Sequence, residues 1–267
     1  MIRDITLGQY YPGESIVHRL DPRIKIIATI AYIVALFIAD SFIGIATAAA
    51  AVFFAIAVSR VPISFLLRGL KPIFFIIIFT FVLNLFMGSG EVLVTLFWGL
   101  KITKNGLTTA VFMAVRLILL IMGSSLLTLT TKPISLTDGI ESLLRPLKIF
   151  KVPAHELAMM MTIALRFIPT LLEETDKIMK AQQARGADFE SGNIFHRAKS
   201  LIAILVPLFI SAFRIAQELA MAMEARCYHG GDNRTRMNGM KLAGRDFAML
   251  VLLLLFLGII IGERYFL

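Results

Sequence analysis

A single cysteine, Cys227, stands in 267 residues. That excludes an internal disulfide framework and any multi-cysteine metal site. The four histidines, His18, His155, His196 and His229, are scattered and never take the H-E-x-x-H spacing of a helical zinc site. No G-x-x-x-x-G-K-[ST] phosphate loop occurs. No carboxylate lies in the middle of a long apolar run, which argues against a proton relay or cation site at membrane depth. Residues 1–21 hold no apolar core of seven or more, so no cleavable signal peptide is expected. No internal repeat of the kind that marks many secondary transporters is visible. No catalytic constellation, metal or cofactor is expected.

What is present is apolar: 58% of the chain is hydrophobic and only 17% charged. Long apolar runs with few charges mean membrane spans, so the fold class is an all-α integral membrane protein. Five spans are expected: about 23–39, 42–59 after a tight turn at Asp40-Ser41, 72–86, 107–127 and 247–262. Asp21 before Pro22 is placed to cap the first, with the proline at its first position. Arg60 to Lys71 reads as a short basic loop. Residues 87–106 read as a glycine-rich connector whose apolar patch, Val92 to Trp98, is too short to cross; Trp98 suits an interface.

The chain then divides into a membrane part (1–129), a polar block (130–246) and a last span (247–267). The polar block is helical by pattern, with helices expected near 135–150, 153–185 and 192–226. In the second, Leu157, Met161, Leu165, Ile168 and Leu172 fall on one face. Pro169 should kink that helix and Pro207 the third. The apolar run Leu201 to Phe213 is shorter than a span and is expected to be buried against the spans or a partner.

The net charge is +9. In a membrane chain such an excess holds loops on the cytoplasmic side, so nucleic acid is not needed to explain it. Of the 27 Lys and Arg, twenty-three precede the first span's core, join spans two and three, or lie in the polar block. Three (Lys101, Lys104, Arg264) fall on the opposite side. The bias puts the N-terminus and the polar block in the cytoplasm. Arg116 alone is inside a span. It is either a functional charge or a structural one paired with a polar group or helix carbonyl of a neighbouring span, such as Asn84.

Two triplets in the polar block remain. Ala184-Arg185-Gly186 ends one amphipathic helix and Ala225-Arg226-Cys227 the next. Each can be an ordinary helix end, with arginine complementing the dipole and glycine closing the cap. An arginine on a rigid helix end is also a good docking group, because its planar fork is held in place.

These triplets carry a resemblance, together with Leu20-Asp21-Pro22-Arg23-Ile24-Lys25, Leu127-Thr128-Leu129-Thr130-Thr131-Lys132-Pro133 and Leu165-Arg166-Phe167-Ile168-Pro169. The chain resembles the transmembrane (T) component of energy-coupling factor transporters, the prokaryotic importers of vitamins and micronutrients. The resemblance covers nearly the whole chain. It implies a non-catalytic coupling subunit in the cytoplasmic membrane. Arg185 and Arg226 would seat in grooves on two ABC ATPase subunits, and a substrate-binding S component would dock on the membrane-facing side of the coupling helices. Met160, Met161 and Met221 would suit that adaptable contact. Cys227 departs from the glycine of the family's second motif. The alternatives are a conventional ABC permease with its own path, or a stand-alone secondary transporter; an intramembrane enzyme lacks the residues.

Overall fold

The computed structural model describes residues 10–88, 91–95, 101–151, 153–187, 189, 194–230 and 242–266. Helices dominate: α1 Pro22–Ile38, α2 Phe42–Ser59, α3 Ile63–Leu70, α4 Phe74–Met87, α5 Lys104–Thr130, α6 Pro133–Leu144, α7 Ala154–Ala184, α8 Ile194–Ala225 and α9 Gly244–Phe266. Two short strands, β1 Val92–Thr95 and β2 Lys101–Thr103, pair antiparallel in the connector between α4 and α5. The expected glycine-rich connector is thus partly a hairpin, built where β-branched Val and Thr favour extended backbone. Trp98 lies outside the described residues.

Among the described residues six helices are long and apolar enough to cross a membrane: Phe42–Ser59, Ile63–Met87, Lys104–Thr130, Ala154–Ala184, Ser200–Ala225 and Gly244–Tyr265. At 17 residues, or roughly 26 Å, α1 is shorter than any of them. Two differences from the sequence expectation stand out. The basic loop after α2 is largely helix: α3 runs almost straight into α4 through a 3₁₀ turn at Lys71–Ile73, so the third apolar helix is longer than expected. Pro62 starts α3 rather than breaking it, since proline tolerates a helix start. And while α8 is one helix through Pro207, as expected, the apolar run read as shorter than a span lies in a stretch of spanning length, Ser200–Ala225.

The chain falls into two compact units. One holds Gly8–Ile140 and Met240–Leu267; the other holds Glu141–Gly239. In the first, α1 and α2 pack on α5 and α9, and α4 lies along α5. The core joins Tyr32, Leu36, Val52, Leu66, Leu119 and Met122. Small residues allow the close approaches that membrane helices favour. A Cβ on Gly123 would meet the Tyr32 ring at 2.5 Å, and one on Gly88 would sit 2.2 Å from the Gly106 backbone.

A polar hub ties this unit together at one end. Asp21 caps α1, its Oδ1 accepting the Arg23 N–H at 2.9 Å, as the Asp-Pro pair foretells. Buried Asp246 accepts the Asp21 N–H at 2.9 Å on one oxygen and the Ala243 N–H at 2.7 Å on the other. Buried Lys25 donates to the Thr130 carbonyl at 2.9 Å, the Thr131 hydroxyl at 3.3 Å and the His18 carbonyl at 3.2 Å. The motif at the start of α1 and the motif after α5 therefore meet in one network of charge-assisted bonds. The 20–25 motif is structural in its contacts.

His18 belongs to the segment before α1. Its Nε2 lies 3.1 Å from the Tyr11 carbonyl and its Nδ1 2.7 Å from Ser15 Oγ. A carbonyl only accepts, so Nε2 carries the proton and Nδ1 accepts from the serine hydroxyl. Burial lowers its pKa; the Tyr11 carbonyl opposes this and the Lys25 charge adds to it. The unfolded chain therefore takes the proton first, near the ordinary 6.5. His18's contribution to stability is complete above that pH and is lost as pH falls through its lower folded value. Wild type should accordingly lose more melting temperature between pH 7.5 and 5.5 than His18→Gln, measured by thermal unfolding in mild detergent.

Candidate docking ends and the buried arginine

In the second unit, α7 and α8 pack as an antiparallel pair. Ile163, Phe167 and Leu171, four apart along α7, line an apolar groove of 260 Å³ with Ile215, Leu219 and Met223 of α8. The early residue Ile163 and the late residue Met223 share one end of that groove. The stripe read from the sequence is the other apolar face: Leu157 and Met161 are 38% and 43% exposed. The helix thus has two apolar faces and uses one of them on α8. Only 6% of each spanning-length window in α7 and α8 is buried, against 33% in α5. Leu201, Leu205, Phe209 and Phe213 on α8 are likewise exposed, as are Met160, Met161 and Met221. Of the Leu201–Phe213 run, Ile204 is buried and most of the other large side chains are exposed.

Pro169 and Pro207 both sit inside continuous helices. Each removes one rung of the hydrogen-bond ladder, leaving the Leu165 and Ala203 carbonyls without their usual donor. The C-terminal half of α7 carries a charged face. There Lys177 pairs with Glu174 at 3.5 Å, one position along from the Glu173 that a four-residue spacing would select.

The two triplets end their helices in the same way. The Ala187 N–H reaches the Gln182 carbonyl at 3.0 Å and the Gly186 N–H the Gln183 carbonyl at 2.9 Å. The Tyr228 N–H reaches the Met223 carbonyl at 3.0 Å and the Cys227 N–H the Glu224 carbonyl at 2.9 Å. Both are Schellman caps, with the residue after arginine in the left-handed region: Gly186 at φ 87° and Cys227 at φ 55°. Cys227 therefore takes the glycine's place without changing the turn. All six residues, Ala184, Arg185, Gly186, Ala225, Arg226 and Cys227, are exposed. Because the helices are antiparallel, the two arginines stand at opposite ends of the pair, on the order of 40 Å apart at 1.5 Å per residue.

A side chain in the left-handed region costs more than glycine there. Cys227→Gly should stabilise this unit by about 1 kcal/mol and leave the arginine where it is. Cys227→Val should do the reverse, since a branched Cβ is worst in that conformation. Thermal unfolding of the two variants checks both signs.

Arg116 is in the first unit and is not near Asn84, whose amide donates to Thr80 of its own helix at 2.8 Å. Instead, Arg116 donates to the Ala39 carbonyl at 2.6 Å and lies 3.6 Å from Asp40. Its guanidinium also sits 4.9 Å from the centre of the Phe112 ring. The short α1 explains this. Lys25 is level with Thr130, and fourteen residues later α1 ends beside Arg116, near the middle of α5. The polar turn Asp40-Ser41 needs partners there. Arg264 lies 3.9 Å from Asp40, and Ser41 bonds Glu263. Arg116 is the structural partner of a helix turn.

Among the described residues no group of three or more His, Cys, Asp or Glu is placed to hold a metal. The family model CbiQ, described as "Cobalt transport protein", matches residues 13–237. A protein of Clostridium kluyveri named energy-coupling factor transporter transmembrane protein EcfT is 60% identical over 248 residues, 92% of each chain. Proteins of the same name are 53% identical over 99% of each chain in Ruminiclostridium cellulolyticum. In Bacillus subtilis the identity is 47%, over 95% of this chain and 96% of the relative.

Proposed function

The chain belongs to the CbiQ family, among the energy-coupling factor transporter transmembrane proteins, and from that starting point we propose that it is the coupling subunit of an ATP-driven importer. It is a multi-pass membrane component of a transporter. In this reading it performs no chemistry. Two partner ABC ATPases bind and hydrolyse ATP, and a separate S component binds the vitamin or other micronutrient. The N-terminus faces the cytoplasm, and α7 and α8, though of spanning length, lie at the cytoplasmic face of the membrane, so that both arginine ends reach the cytoplasm.

The observation that carries the reading is the duplicated cap. Two helices end in the same Schellman turn, each with an exposed arginine just before the turn, at opposite ends of one antiparallel pair. A helix cap alone needs no arginine at that position. An arginine held by a rigid cap presents its fork in a defined direction, as a groove on a partner requires. Ends on the order of 40 Å apart suit two partner surfaces rather than one. Closure of the ATPase pair would shift both ends, and α7 and α8 would carry that displacement into the apolar faces left uncovered in this chain. Those faces, with Met160, Met161 and Met221 on them, suit lipid and a second apolar protein; methionine repacks easily against several partners. The missing rungs at Pro169 and Pro207 give the pair places to bend.

Affinity purification of the chain from native membranes in mild detergent tests this, with mass spectrometry of what accompanies it. The expected result is two ABC ATPases and one or more small hydrophobic membrane proteins. A chain that purifies alone and still moves solute in liposomes would overturn it.

A further inference from the structure

The Arg226 end is held by more than its own cap. Tyr228 is the residue whose backbone N–H closes that cap on Met223. Its side chain turns back to the first turns of α7. The hydroxyl lies 2.9 Å from Met159 Sδ and 3.5 Å from His155 Nε2. His155 in turn has Nδ1 3.2 Å from Glu141 Oε1. A carboxylate only accepts, so Nδ1–H donates to Glu141; the single tyrosine proton goes to Met159 Sδ, and His155 Nε2 packs beside the hydroxyl. The line Glu141–His155–Tyr228 thus runs from the end of α6 through the start of α7 to the residue that closes the turn after Arg226. Glu141 is largely shielded and His155 half-buried, whereas Arg226 itself is exposed. A partly buried polar chain leads to a surface arginine that makes none of its contacts.

We propose that Tyr228, backed by His155 and Glu141, is the positioning residue for the second docking arginine. It ties the C-terminal end of α8 to the start of α7, so that force applied at Arg226 is delivered to α7 instead of bending the last turn of α8. The proposal rests on the docking reading above and deepens it. Tyr228 need not touch the ATPase; it acts through Arg226.

The test uses the full chain in detergent, alone and with its two ATPase subunits. Tyr228→Phe keeps the ring and the backbone cap and removes the hydroxyl. In the isolated chain, amide hydrogen exchange over residues 223–228 should speed up about fivefold, the loss of one neutral hydrogen bond. ATPase affinity should fall by a similar factor. A double-mutant cycle separates positioning from general stability. With Arg226→Ala already present, adding Tyr228→Phe should cost no further affinity. With Arg185→Ala present, it should cost its full fivefold. Unchanged exchange in Tyr228→Phe would overturn the tether. Equal additivity on both arginine backgrounds would overturn the positioning role and leave Tyr228 a packing residue. If Arg226→Ala alone leaves ATPase affinity intact, the docking reading itself falls, and the exchange result still reports on the tether separately.

Discussion

Arg226→Glu and Arg185→Glu should each fold normally and lose affinity for the partner ATPases by about a hundredfold or more, the effect of losing a central docking arginine. Both side chains are exposed, and among the described residues no hydrogen bond or ion pair depends on them. Surface changes of this kind normally move stability by no more than about 0.5 kcal/mol. A glutamate near the negative end of a helix dipole adds a penalty of about 0.3–1 kcal/mol. Arg226→Gln and Arg185→Gln are therefore the matched controls. They should retain full stability and still bind weakly, because a neutral amide cannot reproduce the charged fork. Affinity read by titration in nanodiscs, beside a melting temperature for each variant, separates docking from folding. The two sites lie far apart, so the losses should add in the double variant.

The second large effect is on stability. Asp246→Ala should destabilise the unit built on α1, α5 and α9 by about 3–5 kcal/mol, the range for breaking a buried charged network by removing one partner. The carboxylate is 2% exposed and accepts two backbone N–H groups, from Asp21 and Ala243. Removing it orphans both donors. It also withdraws a negative charge from the network that holds Lys25, whose own three acceptors are all neutral. The segment before α1, the end of α5 and the start of α9 should loosen together. Melting in detergent would show the loss. Lys25→Met should be milder, because the three acceptors it leaves are neutral and Asp21 and Asp246, though deprived of a nearby cation, keep their own backbone N–H donors.

Helix existence was largely legible in the sequence, because apolar runs, the Asp21-Pro22 start and the Gly186 stop are local signals. The Arg60–Lys71 segment was not. Its charges and Pro62 look like a loop, and only packing of Leu66 into the core makes it helix. The face of α7 that meets α8 could not be read either. Two apolar stripes run along that helix, and periodicity alone does not say which neighbour takes which. The same holds for Arg116: its partner is set by where the short α1 ends against α5, a tertiary fact no spacing reports. The turn after Arg226 was hidden for another reason. Cysteine is a poor signal for a left-handed residue, and its cap is recognisable only by bonds that match those at Gly186. The candidate arginines themselves were visible, because the same triplet pattern ends two successive helices.

Site-specific photo-crosslinking tests the central claim most directly. A photoreactive residue at Ala187, next to the first cap, and another at His229, next to the second, would be activated in intact membranes. Both positions should capture an ATP-hydrolysing subunit, with Arg185→Glu abolishing capture only at Ala187 and Arg226→Glu only at His229. Capture of lipid or of other membrane chains at both positions, with no ATPase, would contradict it.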